Sequence, residues 1–363
     1  MLLIAQIITT FLLLFWPLLF MLSPMAFDAP GSENNRSYVI GMMLFLCYPI
    51  PLCAAYWIMG GELWGISGRT LTLITSVVII LALTLFGYGN LLKNALSGIA
   101  SSGYSVADGQ VFYNATPIAQ ADASSFTVLA PQHLRGGYAK DQHRVYYRGQ
   151  VIIHADAQSF RPFDDGQEYW ADQQAVYLEG QAITGATPTG FSRLPDAWHN
   201  ATDFAVQQDA GQSTLYYRAT PIGPVDAAQV VVLWPHIARD NQRIYSEASV
   251  ILPMADAATF ELLPESNEYG RDQQAVYDLL GDRSGVIHGA DPASIEVLAR
   301  GYLKDQHLVY HRQGYEPTQV LEGADSASFE VTGWDETTNA DARDAHSLYR
   351  NGQRVAARPA AAE

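Results

Sequence analysis

Disulfide and thiolate chemistry are the first things this chain lacks. Its two cysteines, Cys47 and Cys53, both sit in an apolar run, so everything beyond is cysteine-free. Such a stretch tolerates an oxidising compartment without requiring one. Basic charge is scarce as well: 21 Lys+Arg stand against 37 Asp+Glu, a formal net charge of −16. Charge of either sign almost vanishes from the first 99 residues, where Asp28, Glu33 and Glu62 balance Arg36, Arg69 and Lys93. The acid excess therefore lies wholly in the remainder, with 34 Asp/Glu against 18 Lys/Arg. A surface that acidic repels nucleic acid and anionic headgroups, and suits solubility or a cationic partner. The chain also has no GxSxG, HExxH, P-loop or GxGxxG phrase, so the common hydrolase, metalloprotease and nucleotide sites have no footing.

What the N-terminal third does have is long apolar runs. Residues 2–22, 38–59 and 70–92 carry no charged side chain, and each approaches the roughly 20 residues that cross a bilayer. They predict a multi-pass anchor over residues 1–92 of three transmembrane helices. Small residues at Ser23-Pro24-Met25-Ala26 offer a cleavage site, but the start MLLIAQ lacks a basic segment, so an uncleaved first helix is the expectation. One arginine per connecting loop, Arg36 and Arg69, gives almost no orientation signal. A cytoplasmic start places everything after the third helix outside the bacterial inner membrane. No ionisable group lies within a span, so an ion pathway has nothing to run on. Residues 93–103 are small and polar and read as a linker.

Beyond the linker one phrase recurs. Counting from a turn aspartate, an apolar residue stands at plus four and tyrosine at plus five. Asp108, Asp141, Asp172, Asp240, Asp272, Asp305 and Asp344 thus precede Tyr113, Tyr146, Tyr177, Tyr245, Tyr277, Tyr310 and Tyr349. Asp209 leads to Tyr216 with two extra residues in the turn. A second phrase follows each tyrosine, as in ADASSF, ADAQSF, ADAATF and ADPASI. Successive aspartates lie 33, 31, 37, 31, 32, 33 and 39 residues apart, the signature of a repeat architecture over residues 104–355, with a tail at 356–363. Seven full repeats and a terminal half repeat are counted.

Each phrase has a physical reading. The first aspartate bonds backbone N–H groups ahead of it and fixes a hairpin turn. The second caps one helical turn. A repeat is then two or three short strands, and stacking supplies the core that one repeat cannot. Plus four and plus five are packed. Plus six varies (Asn114, Tyr147, Leu178, Tyr217, Ser246, Asp278, His311, Arg350) and is expected to look outward, with Tyr147, Tyr217, His311 and Arg350 as the candidate binding face. The predicted fold is a transmembrane helical anchor plus an all-β tandem-repeat domain, an open solenoid-like stack of hairpins; a seven-bladed propeller is the alternative.

KDQHRVYYRG at 140–149 and KDQHLVYHRQG at 304–314 make residues 103–355 resemble the DKNYY repeats of bacterial envelope proteins. Those repeats carry Asp-Lys-Asn, an apolar position and two tyrosines. Here Gln-Gln or Gln-His replaces Lys-Asn, and the second tyrosine survives as Tyr147 and Tyr217. The resemblance brings no catalytic residues.

Other candidates are weaker. His307 and His311 are four apart, but one falls in a turn and the other in a strand, so a shared metal is not expected. Single aspartates every thirty or more residues do not gather the six to eight oxygens of a calcium site. Neither cofactor nor metal is expected. Asp164-Asp165 with Glu168, and Asp335-Glu336, are the only paired carboxylates that a hydrolase reading can use. The sequence thus predicts a non-enzymatic, membrane-anchored envelope scaffold that binds a protein or a glycan. The alternatives are a ligand-sensing membrane protein acting through a partner, and a hydrolase of acidic loop residues.

Overall fold

The computed structural model describes residues 2–129, 137–163, 168–196, 202–264, 266–280 and 285–357. The chain divides into two bodies, residues 1–182 and 183–363.

The first body begins with helices. Helix α1 (Leu2–Leu22) continues into a 3₁₀ turn, Ser23–Phe27. Helices α2 (Arg36–Leu46) and α3 (Pro49–Ile58) follow. A two-stranded hairpin, Glu62–Leu63 with Ile66–Ser67, leads to α4 (Gly68–Leu85) and α5 (Tyr88–Ser97). α1 and α4 are each long and apolar enough to cross a membrane, whereas α2 and α3 pass that test only as a pair bent by 49°.

Two expected spans are therefore broken. Pro49 and Pro51 lack the N–H that would continue α2, so the run expected at 38–59 bends at Cys47–Tyr48. The run expected at 70–92 stops at Leu85, because Gly87 adopts the left-handed conformation (φ 74°) that ends helices. α5 then packs its Tyr88 and Ala95 into a core with Trp16, Phe20, Val39 and Ile79. Large apolar side chains on α1 face outward instead, among them Phe11, Leu14 and Met21, about two-thirds exposed.

After the helices come eight antiparallel sheets, each a meander of consecutive strands. They span residues 104–117, 127–151 and 161–182 in the first body, and 191–225, 231–251, 261–286, 296–320 and 330–357 in the second; they are numbered 1 to 8. Sheet 1 has three strands and the others four, not the two or three expected. Each four-stranded sheet takes its first strand from residues just after a short turn, such as Ala227–Gln229 before sheet 5 and Ser326–Ser328 before sheet 8. No such turn precedes residue 104, so the incomplete repeat is the first and not the last.

Within the second body four hydrophobic cores among the described residues each join a sheet to the next in sequence: 4 to 5 around Phe204 and Tyr245, 5 to 6 around Phe260, 6 to 7 around Leu303, and 7 to 8 around Phe329. Among the described residues no core returns from sheet 8 to sheet 4, so neither barrel nor propeller closes within this body. In the first body, sheets 2 and 3 share a core of Tyr138, Phe160, Trp170 and Tyr177.

Candidate functional site

Six of the repeat aspartates, Asp141, Asp172, Asp240, Asp272, Asp305 and Asp344, sit at the tips of the central hairpins and are buried. In Asp141, Oδ1 accepts the N–H groups of His143 and Arg144, both at 2.7 Å. Oδ2 accepts the Tyr146 hydroxyl at 2.6 Å and the N–H of Asp122, in the preceding helical turn, at 3.0 Å. Asp172, Asp272, Asp305 and Asp344 repeat all four bonds, with Tyr177, Tyr277, Tyr310 and Tyr349 as hydroxyl donors. Asp240 makes the two turn bonds and takes the Tyr245 hydroxyl. One carboxylate thus ties its own turn, the strand leaving it and the turn before it.

The electrostatics follow. Burial opposes ionisation of Asp141, yet the Tyr146 hydroxyl and three backbone N–H groups outweigh it and hold the carboxyl below its ordinary value. Asp172, Asp272, Asp305 and Asp344 are lowered by the same balance. The partner phenols move up, first through burial and then through the adjoining carboxylate, Tyr245 and Tyr349 to about 12. A carboxylate that accepts four hydrogen bonds has no lone pair left for base catalysis or for a cation. These aspartates are structural acceptors.

Two further links join neighbouring sheets. The basic residue before the aspartate donates to carbonyls of the next helical turn: Lys140 to Ala157, Arg271 to Pro292 and Lys304 to Phe329. The tyrosine three residues before the aspartate accepts a glycine N–H from the next sheet. Tyr138 takes Gly180 at 2.7 Å and Tyr302 takes Gly352 at 2.8 Å; Tyr104 takes Gly149 in the same way. This second tyrosine row escaped sequence reading, although its signal, tyrosine at minus three in 138, 169, 269 and 302, is present.

The plus-six row does not look outward. Plus four and plus six share one strand face, and within each body the following sheet lies over Tyr113, Tyr147 and His311. Leu178 and Asp278 are buried, while Tyr147, Tyr217, Ser246 and His311 are half-buried. Tyr147 lies against Tyr138 (4.7 Å between ring centroids) and under Gly180, where an added Cβ would fall 2.6–2.7 Å from the ring. Tyr217 packs on Phe204, and His311 packs on Tyr302 beneath Gly352. Burial lowers the pKa of His311. Asp278 accepts the Thr318 hydroxyl at 2.6 Å and pairs at 3.3 Å with Arg312, which lies over Tyr269 and also meets Glu268. Of the four candidate face residues only Arg350 is exposed, beside Trp334 (5.2 Å) and Asn339 on the last sheet.

Two repeat assignments shift. Asp108-Gly109 forms a two-residue hairpin turn with both φ positive (46° and 73°), so the strand pair closes two residues earlier than elsewhere. Ala107 then fills the aspartate slot, Phe112 the plus-five slot, and Tyr113 the plus-six slot under Gly149. In sheet 4 the hairpin runs to Asp209–Gln212, and Gln207 occupies the buried slot. Its Oε1 accepts the N–H of Thr187 at 2.9 Å, while Tyr216 donates to the Thr184 carbonyl.

The acidic pairs are not assembled into a site among the described residues. Asp164 and Asp165 lie outside them. Asp335 is an exposed turn acceptor, and bonds from Thr337 and Thr338 hold its carboxyl low, the wrong direction for a general acid. His307 is exposed in its turn and His311 is packed between sheets. Among the described residues no three of His, Cys, Asp and Glu converge on a metal position.

Residues 104–154, 138–281 and 212–353 match the family model described as the DKNYY family. The chain belongs to the DKNYY family. No curated protein and no solved structure matches it. In this DKNYY chain the family phrase acquires a physical meaning. The aspartate is the shared acceptor, the first tyrosine its hydroxyl donor, and the second position the side chain that lies beneath the next sheet's glycine.

Proposed function

We propose that this protein is a non-enzymatic, membrane-anchored binding module of a bacterial cell envelope, its DKNYY repeats held outside the inner membrane by a three-span helical anchor. One observation carries the membrane part: contacts at the two ends of α1. Near its start, Gln6 donates to the Glu62 carbonyl, and the Trp64 indole donates to the Thr10 hydroxyl. Near its other end, Ser23 bonds Tyr88, and Asn34 bonds Ser101 and Ser102 at the entry to the repeats. The 62–67 hairpin and the repeats thus belong to opposite ends of α1, which favours the bent α2–α3 pair as one complete crossing over a re-entrant loop. Three crossings put the repeats opposite the N-terminus. The outward apolar face of α1 needs lipid rather than water. The binding part rests on the repeat aspartates: Asp141, Asp172, Asp272, Asp305 and Asp344 are committed to structure by four hydrogen bonds each.

A Tyr315→Cys variant on a Cys47→Ser, Cys53→Ser background tests the placement, since Tyr315 is 84% exposed. A membrane-impermeant maleimide is expected to label it in intact spheroplasts; labelling only after lysis would sink the topology.

A second reading has its own support. Asn34 accepts from the Ser101 and Ser102 N–H groups, and Ser102 bonds Glu33, so the segment expected as a loose linker is clamped to the α1–α2 connection. A force on the repeats would reach α2, as a sensor acting through a partner subunit requires. Pull-down from solubilised membranes separates the two: a stoichiometric membrane partner favours the sensor.

A further inference from the structure

In sheets 2, 3 and 5 to 8 the tip of the central hairpin displays the two residues after the buried aspartate, and the backbone donor of the second is already used. In sheets 2, 3 and 7 the plus-one N–H bonds a serine of the preceding helical turn, Gln142 to Ser125, Gln173 to Ser159 and Gln306 to Ser294. The plus-two N–H bonds the aspartate. In the second body the tip side chains of sheets 5, 6 and 7 are Asn241-Gln242, Gln273-Gln274 and Gln306-His307, all exposed. Two of them already make a hydrogen bond, the Asn241 amide donating to Gln229 and the Gln306 amide to Asp291, whereas Gln242, Gln273, Gln274 and His307 are left to serve something outside. Nothing in the turn demands an amide, because Ala345 holds the plus-one slot of sheet 8. Two polar grooves flank these tips. One, of about 380 Å³, is lined by Gln229, Asn241, Gln242 and Arg243; the other, of about 500 Å³, by Glu261, Arg271, Gln273 and Asp291.

Resting on the binding-module reading, we propose that the hairpin tips of sheets 5, 6 and 7 form a ladder of hydrogen-bonding sites for a linear, uncharged polysaccharide. Stacked sheets repeat at about 10 Å, so a polymer with a regular hydroxyl pattern meets similar groups at each rung. A protein partner would seek a buried aromatic anchor, and Arg271 of the second groove is already paired with Glu261. The tips offer amides and an imidazole, with no large apolar side chain. The acid excess rejects anionic polymers. Single rungs bind weakly, and a chain spanning several gains by effective concentration.

The test uses the full chain in detergent with β-1,4-linked glucose and N-acetylglucosamine oligomers of two and six sugars. At least one hexamer is expected to bind at least tenfold tighter than its dimer. The triple variant Gln242→Ala, Gln273→Ala, His307→Ala is expected to lose at least tenfold of that affinity while keeping its far-UV circular dichroism. Binding by neither hexamer, binding without length dependence, or binding indifferent to the triple variant each overturns the ladder. If the triple variant still retains a membrane partner protein while no hexamer binds wild type, the binding-module reading stands and the ladder alone falls.

Discussion

Sheet 4 and sheet 7 build the same buried hairpin position with different chemistry. In sheet 7, Asp305 gathers two turn N–H groups, the Tyr310 hydroxyl and the Asp291 N–H. In sheet 4, Gln207 keeps only the bond to the preceding turn, through Thr187, and its hairpin is lengthened so that ladder bonds replace the tight turn. The constant element is an oxygen reaching the helical turn before it. Charge, and the tyrosine that serves it, are needed only where a four-residue turn has donors to satisfy.

Acid should give the largest contrast. Asp141, Asp172, Asp272, Asp305 and Asp344 have folded-state pKa values below the ordinary one, so their stabilisation is complete above the ordinary carboxylate range and is lost as pH falls through the lowered values. Gln207 does not titrate. Near pH 3, below the ordinary aspartate pKa of about 3.9, hydrogen exchange is expected to deprotect residues 302–310 before 204–217. Simultaneous loss would break the comparison.

Asp305→Ala comes next. It leaves four donors without their acceptor, two of them holding the turn, and is expected to cost about 3 kcal/mol in denaturant titration of the full chain. Because each sheet is stabilised through its neighbours, the accompanying loss of exchange protection should be centred on sheets 7 and 8.

Gly180→Ala combines a positive φ of 81° with a Cβ driven into the Tyr147 ring, and about 2 kcal/mol is expected. Gly211→Ala in sheet 4 has a φ of 89° but open space, so about 1 kcal/mol is expected. Equal costs would show that the stacking of plus six under the next glycine contributes nothing. Tyr310→Phe removes one of four donors and should cost about 1 kcal/mol.

Legibility in the sequence followed the range of the interaction. Asp141 bonding residues two and three ahead is local, and so is its Tyr146 partner five residues on; spacing alone exposed both positions. The tyrosine row at 138 and 302 was missed because its glycine partners lie 42 and 50 residues away. Asp108 and Asp209 misled because one opens a two-residue turn and the other immediately precedes one, where the same letter has a different role. The plus-six row was expected outside because variability was read as exposure. In fact a tyrosine, leucine, aspartate or histidine can each fill that slot once the opposing surface adjusts.

The repeat period, the turn acceptor and three apolar runs were written in residue order, because each depends on neighbours within one turn or on simple length. The bend between α2 and α3, the clamp at Asn34, and the faces left open to solvent were decided by folding. They depend on which distant segment comes to lie against each surface, and a strand's own side-chain alternation does not say what will cover it.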